Sequence, residues 1–329
     1  MLNKRDMLKL AGALPVAWSG VAGLPAFAQS PPYPTRPVTL VIAFGAGNAA
    51  DTIGRLVAHH LGNFLGQQVI VENRPGAGGV GAVTQVASAK PDGYTLLYIG
   101  AGVAISQALF KPPPYDMLKS FIPVCPISSN DVLLLVRKDS RLKRVEDLIR
   151  EAREKKGGLM VGVALLGTTQ HLSAELFKLR AKVNFTIVPF KTASAVTTAL
   201  VAGDIDLAFE YVPPSLPMLR GGQLRGLAVA NAKRSEVLPD IPTVAEQGLP
   251  GFDVSSWGMI VAPAQTPDPV VQRLNQGMVH ALHQPDVVKR LGDMGVRVLG
   301  GTPAQARDLM ATEIVRWADV VSESNISLK

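Results

Sequence analysis

Cysteine is nearly absent: Cys125 stands alone among 329 residues. That excludes an internal disulfide in this sequence and a zinc site built on thiolates. Five histidines, His59, His60, His171, His280 and His283, show no H-E-x-x-H or comparable ligand spacing. No metal and no cofactor is therefore expected. Aromatic residues make up only 5% of the chain, and no basic run interleaves with them, so nucleic acid is not the expected partner. A G-x-S-x-G elbow and a Cys/His signature are missing as well, which leaves a hydrolase as a remote alternative. The one long apolar stretch, Leu10 to Phe27, is interrupted by Pro15, Trp18, Ser19 and Pro25, which argues against a membrane helix.

What that stretch has is the anatomy of a signal peptide. Lys4, Arg5 and Lys9 give a basic start, and Ala26-Phe27-Ala28 reads as an A-x-A cleavage signal before Gln29. Residues 1–28 are expected to be removed on export to the periplasm. Lys4-Arg5 in place of a twin arginine keeps both the general and the twin-arginine route open. Loss of Lys4, Arg5, Lys9 and Asp6 leaves 30 basic against 25 acidic side chains (33 less three, 26 less one). A mild, dispersed positive balance suits small anionic solutes.

The stretch that organises the rest is Val38 to Val57. Val38 to Phe44 is an apolar, β-branched run of the kind buried in a parallel sheet. Gly45 and Gly47 turn the chain, Asp51 is placed to cap a helix, and Ile53, Leu56, Val57, His60, Leu61 and Phe64 recur at helical spacing. A strand delivered into a helix start through small residues presents unpaired amides and the positive end of the helix dipole, which suits an anionic oxygen. The same design recurs at Leu159 to Leu165, Gly167 and a helix from Thr168 to Arg180 with Thr168 at its cap. If each start belongs to its own α/β domain, the two face one another across a cleft.

Between them lies a motif that points elsewhere. Gly76-x-Gly78-x-x-Gly81 follows a strand, Gln68 to Asn73, and opens a helix, as a dinucleotide fingerprint does. The next strand, Tyr94 to Ile99, ends in Gly100-Ala101-Gly102 without a carboxylate, and after Asp92 the next acid is Asp116. A nicotinamide ribose has nothing to hold it, so these glycines serve a tight turn. Further strands are expected at Val132 to Val136, Asn184 to Phe190, Ile205 to Phe209, Leu224 to Ala230 and Val254 to Ala262. Helices are expected at Val145 to Lys155, Ala193 to Val201, Pro213 to Arg220, within Pro239 to Pro250, and over Pro269 to His283, Pro285 to Met294 and Thr302 to Val321. Repeated βα units imply parallel sheets.

Several motifs together carry a resemblance across the mature chain. They are Tyr33-Pro34-Thr35-Arg36-Pro37-Val38, Val71-Glu72-Asn73-Arg74-Pro75-Gly76-Ala77-Gly78-Gly79, Pro91-Asp92-Gly93-Tyr94-Thr95-Leu96, His171-Leu172 with Glu175-Leu176-Phe177, Leu238-Pro239-Asp240-Ile241-Pro242-Thr243 and Arg316-Trp317. In these the chain resembles the Bug family of extracytoplasmic solute-binding proteins, related to the tricarboxylate receptor TctC. The resemblance implies a type II periplasmic-binding-protein fold: two α/β domains with a ligand cleft between them, residues 29–130 and 252–329 forming domain 1 and residues 131–251 inserted as domain 2. It also implies a monomer that hands a small organic acid to the membrane permease subunits of a tripartite tricarboxylate transporter, with a sensor for a signalling partner as the alternative. Chain crossings near Ile127 to Val132 and Gly251 to Trp257 are expected to form the hinge, with Trp257 close to it and Trp317 in the core.

The family's two carboxylate-gripping loops fall on residues 43–51 and 165–171. Phe44, Gly47, Asp51, Gly167 and His171 match the family pattern, and Thr168 replaces a serine. Ala43 and Ala46 stand where the family has prolines, Asn48 and Leu165 where it has glycines, Phe190 where it has a tyrosine, and Thr192 where it has a glycine. The expected ligand-binding set is Phe44, Ala46, Gly47, Asn48, Asp51, Leu165, Leu166, Gly167, Thr168, Thr169 and Phe190, with Glu210 and Tyr211 added because ligands sit beyond the carboxyl ends of strands. The expected ligand is a small mono- or dicarboxylate with an apolar or aromatic body, Glu210 repelling a second carboxylate that points its way. His171 and Asp51 also have structural readings, as a first-turn histidine and a helix cap.

Overall fold

Short runs rich in β-branched residues alternate with helical segments, and such runs are stiff, extended and stable only when neighbouring strands satisfy their amides. The computed structural model describes residues 33–46, 49–75, 79–155, 157–324 and 326. The expected signal peptide and its cleavage signal, Gly47 and Asn48, and Gly76 to Gly78 of the fingerprint-like run lie outside the described residues.

Ten strands and eleven helices are found among the described residues. The chain opens with β1 (Val38–Ile42), α1 (Ala49–Leu65), β2 (Val69–Asn73), α2 (Val80–Ala87), β3 (Thr95–Gly100), α3 (Ala101–Leu109), α4 (Met117–Ser120) and β4 (Phe121–Arg137). It continues with α5 (Val145–Glu154), β5 (Leu159–Ala164), α6 (Thr169–Ala181), β6 (Phe185–Phe190), α7 (Ala193–Ala202), β7 (Leu207–Tyr211), α8 (Val212–Arg220) and β8 (Leu224–Val229). It closes with β9 (Ser255–Pro263), α9 (Asp268–Leu282), α10 (Pro285–Asp293), β10 (Val296–Val298) and α11 (Pro303–Glu323).

Two parallel triplets form where βα crossovers connect the strands. β1 lies between β2 and β3, with Leu40 opposite Val71 and Leu96. β5 lies between β6 and β7, with Val161 opposite Ile187 and Leu207. The all-parallel expectation fails outside them. β9 runs antiparallel to β3 and β4, and β4 runs antiparallel to β7, β8 and β10. β9 therefore runs in the same direction as β8, both opposite to β4, and it separates β4 from the parallel triplet β2-β1-β3. The order is β2-β1-β3-β9-β4-β7-β5-β6, with β8 and β10 on β4. β4 pairs with β9 as far as Asp131 and with β7 from Val132 onward.

Four expectations need correcting. β4 begins at Phe121, eleven residues before the expected Val132, because Pro123 and Pro126 disguise it. Register shifts at Pro123/Cys125 and Pro126/Ser128 accommodate the missing donors. α3 was not expected, since six of its nine residues, Ala101, Val103, Ala104, Ile105, Ser106 and Leu109, are buried and no amphipathic stripe remains. β10 is only three residues long and carries no periodicity. Residues 239–250 form turns and a single bridge between Thr243 and Val229, with no helix.

Helices cover both faces of the sheet. Ile53, Val57 and Leu61 of α1 pack with Val271, Leu274 and Met278 of α9 in one cluster, and Ala306, Met310 and Trp317 of α11 join α3 in another. Each fully buried aliphatic side chain contributes roughly 1.5–3 kcal/mol. Between α11 and β9 sits a buried carboxylate. Glu313 is 2% exposed, its Oε2 accepts from Trp257 Nε1 at 2.9 Å and Trp317 Nε1 at 3.0 Å, and its Oε1 pairs with Arg316 at 2.6 Å. Trp257 is thus core-facing like Trp317. Burial pushes the Glu313 carboxyl up, while Arg316 and the two indoles pull it down. Glu313→Ala strands both indole donors and half of the Arg316 pairing, so it is expected to cost about 3 kcal/mol. Urea unfolding followed by far-UV circular dichroism checks this, and a loss below about 1 kcal/mol would mean the indoles find other acceptors.

Candidate functional site

Parallel βα units place helix N-termini at the carboxyl ends of their strands, so α1, α6 and α7 begin where β1, β5 and β6 stop. The loop after β1 starts at buried Ala43, after which Phe44, Gly45 and Ala46 are exposed, Phe44 by 36%. Asp51 lies in the first turn of α1. It is the third residue of the helix, where a carboxylate still faces the positive end of the dipole. Its Oδ1 lies 2.9 Å from Arg55 Nε and accepts from Asn73 Nδ2 at 2.9 Å. Asn73 also donates to the Phe44 carbonyl at 3.1 Å and accepts from Arg55 at 2.7 Å. Arg55 and Asn73 therefore brace this loop, a role the sequence reading did not assign. Arg55 was findable as the i+4 partner of Asp51, and Asn73 as part of the motif at 71–79.

The loop after β5 is pinned at nearly every polar atom. The Leu165 N–H donates to the Phe190 carbonyl at 3.0 Å. Thr168 caps α6: its Oγ1 accepts from the His171 N–H at 3.4 Å and lies 3.0 Å from both the Ala164 and Leu165 carbonyls, to which it donates. Gly167, at φ +75°, gives its N–H to His171 Nδ1 at 3.1 Å. That bond requires the proton of neutral His171 on Nε2, which faces Glu175 Oε1 at 3.9 Å. Burial pushes the His171 imidazole pKa down, which keeps the ring in its accepting form. The Gly167 amide and the Thr168 hydroxyl are consequently spent inside the loop. Left to a ligand are the first-turn amides of α6, from Thr169 and Gln170, which a helix cannot satisfy internally.

α6 is enclosed to an unusual degree. Every residue from Thr169 to Phe177 is buried, including Gln170, His171, Ser173 and Glu175. Beneath its first turn lies Glu210, 0% exposed, whose Oε1 accepts from Gln170 Nε2 and from the Tyr211 N–H, both at 2.9 Å. Its Oε2 has no hydrogen-bond partner among the described residues. Glu210 is therefore under the loop rather than on a cleft wall, and the repulsion expected from it does not arise from an exposed charge. Tyr211 is half-buried, and burial pushes its hydroxyl pKa up against the pull of the Ser256 and Thr169 side chains. Phe190 is half-buried against the cluster containing Leu133, Ala164 and Val196, which makes it a wall residue backed by core. Leu165 and Leu166 are 54% and 48% exposed.

The arrangement gathers Leu165, Leu166, Gly167, Thr168, Thr169, Phe190, Glu210 and Tyr211 around one helix start, while Phe44, Ala46 and Asp51 belong to the other. Among the described residues, no three His, Cys, Asp or Glu side chains are grouped to hold a metal ion. A cavity of about 800 Å³ lies elsewhere, against α1 and the edge strand β2, lined by Arg55, His59, Asn63, Gln68 and Ile70. It is broadly open to solvent and has no helix N-terminus at its floor.

The sequence profile of the tripartite tricarboxylate transporter family receptor, TctC, matches residues 53–326. Among solved structures the chain is similar to the periplasmic binding protein BugD, with 29% identity and a TM-score of 0.74 over 90% of this chain and 100% of that one. It is similar to MatC of Rhodopseudomonas palustris, solved with bound malate, with 36% identity and a TM-score of 0.73 over 88% and 100% of the two chains. It is also similar to Rpa4515 of R. palustris, solved with adipate, with 36% identity and a TM-score of 0.76 over 90% and 99%.

Burial pushes the Glu210 carboxyl above its ordinary value of 4.5, against the pull of the Tyr211 N–H and Gln170. An acid that binds its proton more tightly when folded contributes stability that is complete below the unfolded pKa and is lost as pH rises through the folded one. Glu210→Gln is therefore expected to lose less stability than the wild type as pH rises above the ordinary carboxylate value of 4.5. Urea midpoints at several pH values test it, and parallel declines in the two proteins would show that Glu210 ionises without penalty.

Proposed function

The chain belongs to the tripartite tricarboxylate transporter receptor family of periplasmic solute-binding proteins, and on that premise we propose that it captures a small carboxylate between two α/β domains and delivers it to the membrane subunits of such a transporter. The observation that carries this reading is the start of α6. Its loop is locked by Thr168, His171 and the Phe190 carbonyl, its polar side chains are turned inward, and its unpaired first-turn amides sit beside exposed apolar Leu165 and Leu166. Such a helix end favours an anion by roughly 0.3–1 kcal/mol when exposed and more when enclosed. One carboxylate oxygen pair goes there, and the start of α1 faces it from the other domain.

The division into residues 29–130 with 252–329 and residues 131–251 is supported by the change of β4's partners between Asp131 and Val132, and by the chain's return into β9 at Ser255. Those two crossings form the hinge about which the cleft shuts. The family's members are solute-binding receptors, which supports a receptor that binds without chemistry. It works as a monomer in the periplasm after removal of residues 1–28. Malate and adipate, the acids bound by MatC and Rpa4515, are both dicarboxylates, and a mono- or dicarboxylate with an apolar or aromatic body is the class proposed for this chain.

A thermal-shift series of organic acids and their uncharged amides tests the reading. An acid present at about 100 times its dissociation constant adds about 2.7 kcal/mol to stability and raises the melting temperature accordingly. The matching amides are expected to leave it unchanged. Equal stabilisation by acid and amide would remove the carboxylate from the proposal.

A further inference from the structure

Leu165 combines two features that the fold by itself does not reward. Among the described residues three non-glycine residues have a left-handed backbone, Leu165 at φ +65°, Lys182 at φ +53° and Gln265 at φ +68°. Lys182 caps the end of α6 and Gln265 lies in a turn, both with exposed polar side chains. Leu165 alone of the three has an apolar side chain. Its conformation cannot relax, because its N–H is held by the Phe190 carbonyl and its own carbonyl by the Thr168 hydroxyl, each at 3.0 Å. Glycine adopts this backbone state freely, whereas a leucine's Cβ is strained in it. The side chain brings no packing in return: it is 54% exposed, and Leu166 beside it is 48% exposed. Strain that persists at an over-determined position is characteristic of functional sites, and what offsets it here lies outside the chain's own core.

We propose that Leu165, together with Leu166, is the specificity element of the cleft, closing on the hydrocarbon part of a ligand whose carboxylate sits at the start of α6. This rests on the carboxylate reading above and adds to it a choice among acids. The loop favours acids in which the carbons next to the carboxylate are bare methylenes or an aryl ring, and it gains nothing from acids that carry a hydroxyl there. Burying about half a leucine against hydrocarbon removes apolar surface from both partners, whereas a hydroxyl pressed against it loses its water without a replacement partner.

The test is isothermal titration of the mature protein and its Leu165→Gly and Leu165→Ala variants with adipate, a phenyl-substituted monocarboxylate and malate, together with melting temperatures without ligand. Leu165→Gly is expected to keep or raise the melting temperature, since strain and exposed apolar surface both disappear. Leu165→Ala keeps the left-handed strain and is expected to melt below Leu165→Gly. Both variants are expected to bind the hydrocarbon-bodied acid at least about tenfold more weakly while malate changes little. A loss confined to adipate assigns the contact to a methylene chain, and a loss confined to the phenyl acid assigns it to a ring. Equal weakening of all three acids, or no weakening, overturns the specificity role while leaving the carboxylate site standing. Wild-type protein that binds malate and neither hydrocarbon acid overturns it too. Failure of every acid to bind the wild type removes the carboxylate reading and this proposal together.

Discussion

A single strand has to belong to both halves of this protein, and that requirement shapes the rest. β4 runs for 17 residues and is buried along almost its whole length, so its amides and carbonyls need partners on both edges throughout. It finds β9 and β10 first, then β7 and β8. Because side chains alternate with a period of two, a one-residue slip in either half would turn the apolar set of β4 toward the wrong face. The register is adjusted against β9 at Pro123/Cys125 and Pro126/Ser128 and against β8 at Leu134/Leu135. With β4 fixed, β9 and the parallel triplet β2-β1-β3 lie on one side and β7-β5-β6 on the other, and the starts of α1 and α6 take their positions from that.

The polar interior around α6 decides which groups remain for a ligand. Burying Gln170, His171, Ser173, Glu175 and Glu210 is costly unless each is hydrogen-bonded, and most of this loop's donors are used to meet that cost. Ser173 donates to the Thr169 carbonyl at 2.6 Å, Glu175 is paired with Lys178 at 2.8 Å, and Gln170 turns to Glu210. The consequence is a loop whose polar side chains are mostly occupied, so that the carboxylate recognition proposed for it falls to the backbone. Recognition through backbone amides is tolerant of side-chain replacement, and so this loop can carry Thr168 and Leu165 while still presenting a helix end.

Most of the residues behind the family resemblance join parts of the fold. The Tyr33 hydroxyl donates to the Gly93 carbonyl at 2.6 Å and its ring meets Tyr94 edge-on at 5.1 Å. Arg36 pairs with Asp92 at 3.1 Å and lies 3.8 Å over the Tyr94 ring. Gly93 has φ +81°, and a Cβ there would stand 2.9 Å from the Tyr33 hydroxyl. The motif at residues 33–38 and the motif at 91–96 are thus two sides of one joint. Asn73 does the same for the first loop. These residues fix architecture, which is why they identify the family more sharply than they identify a ligand.

Local pattern alone determined β1 with α1, the alternation of strands and helices from Leu159 to Phe190, the cap at Thr168 and the apolar stripe of α11, because each depends on neighbours in the chain. It also marked Leu165, Leu166, Gly167 and Thr168 as a loop at a helix start. Several features were decided only by tertiary structure. The antiparallel course of β9, the prolines inside β4 and the all-round burial of α3 depend on strands and helices distant in sequence. So does the placement of Glu210 beneath α6, since it is Gln170, forty residues away, that donates to it. The bracing of Asp51 in the first turn of α1 likewise depends on Asn73, which arrives from β2. Hydrogen bonds between residues close in the chain follow from spacing, whereas which donors are consumed and which are left for a ligand depends on packing that brings distant strands together.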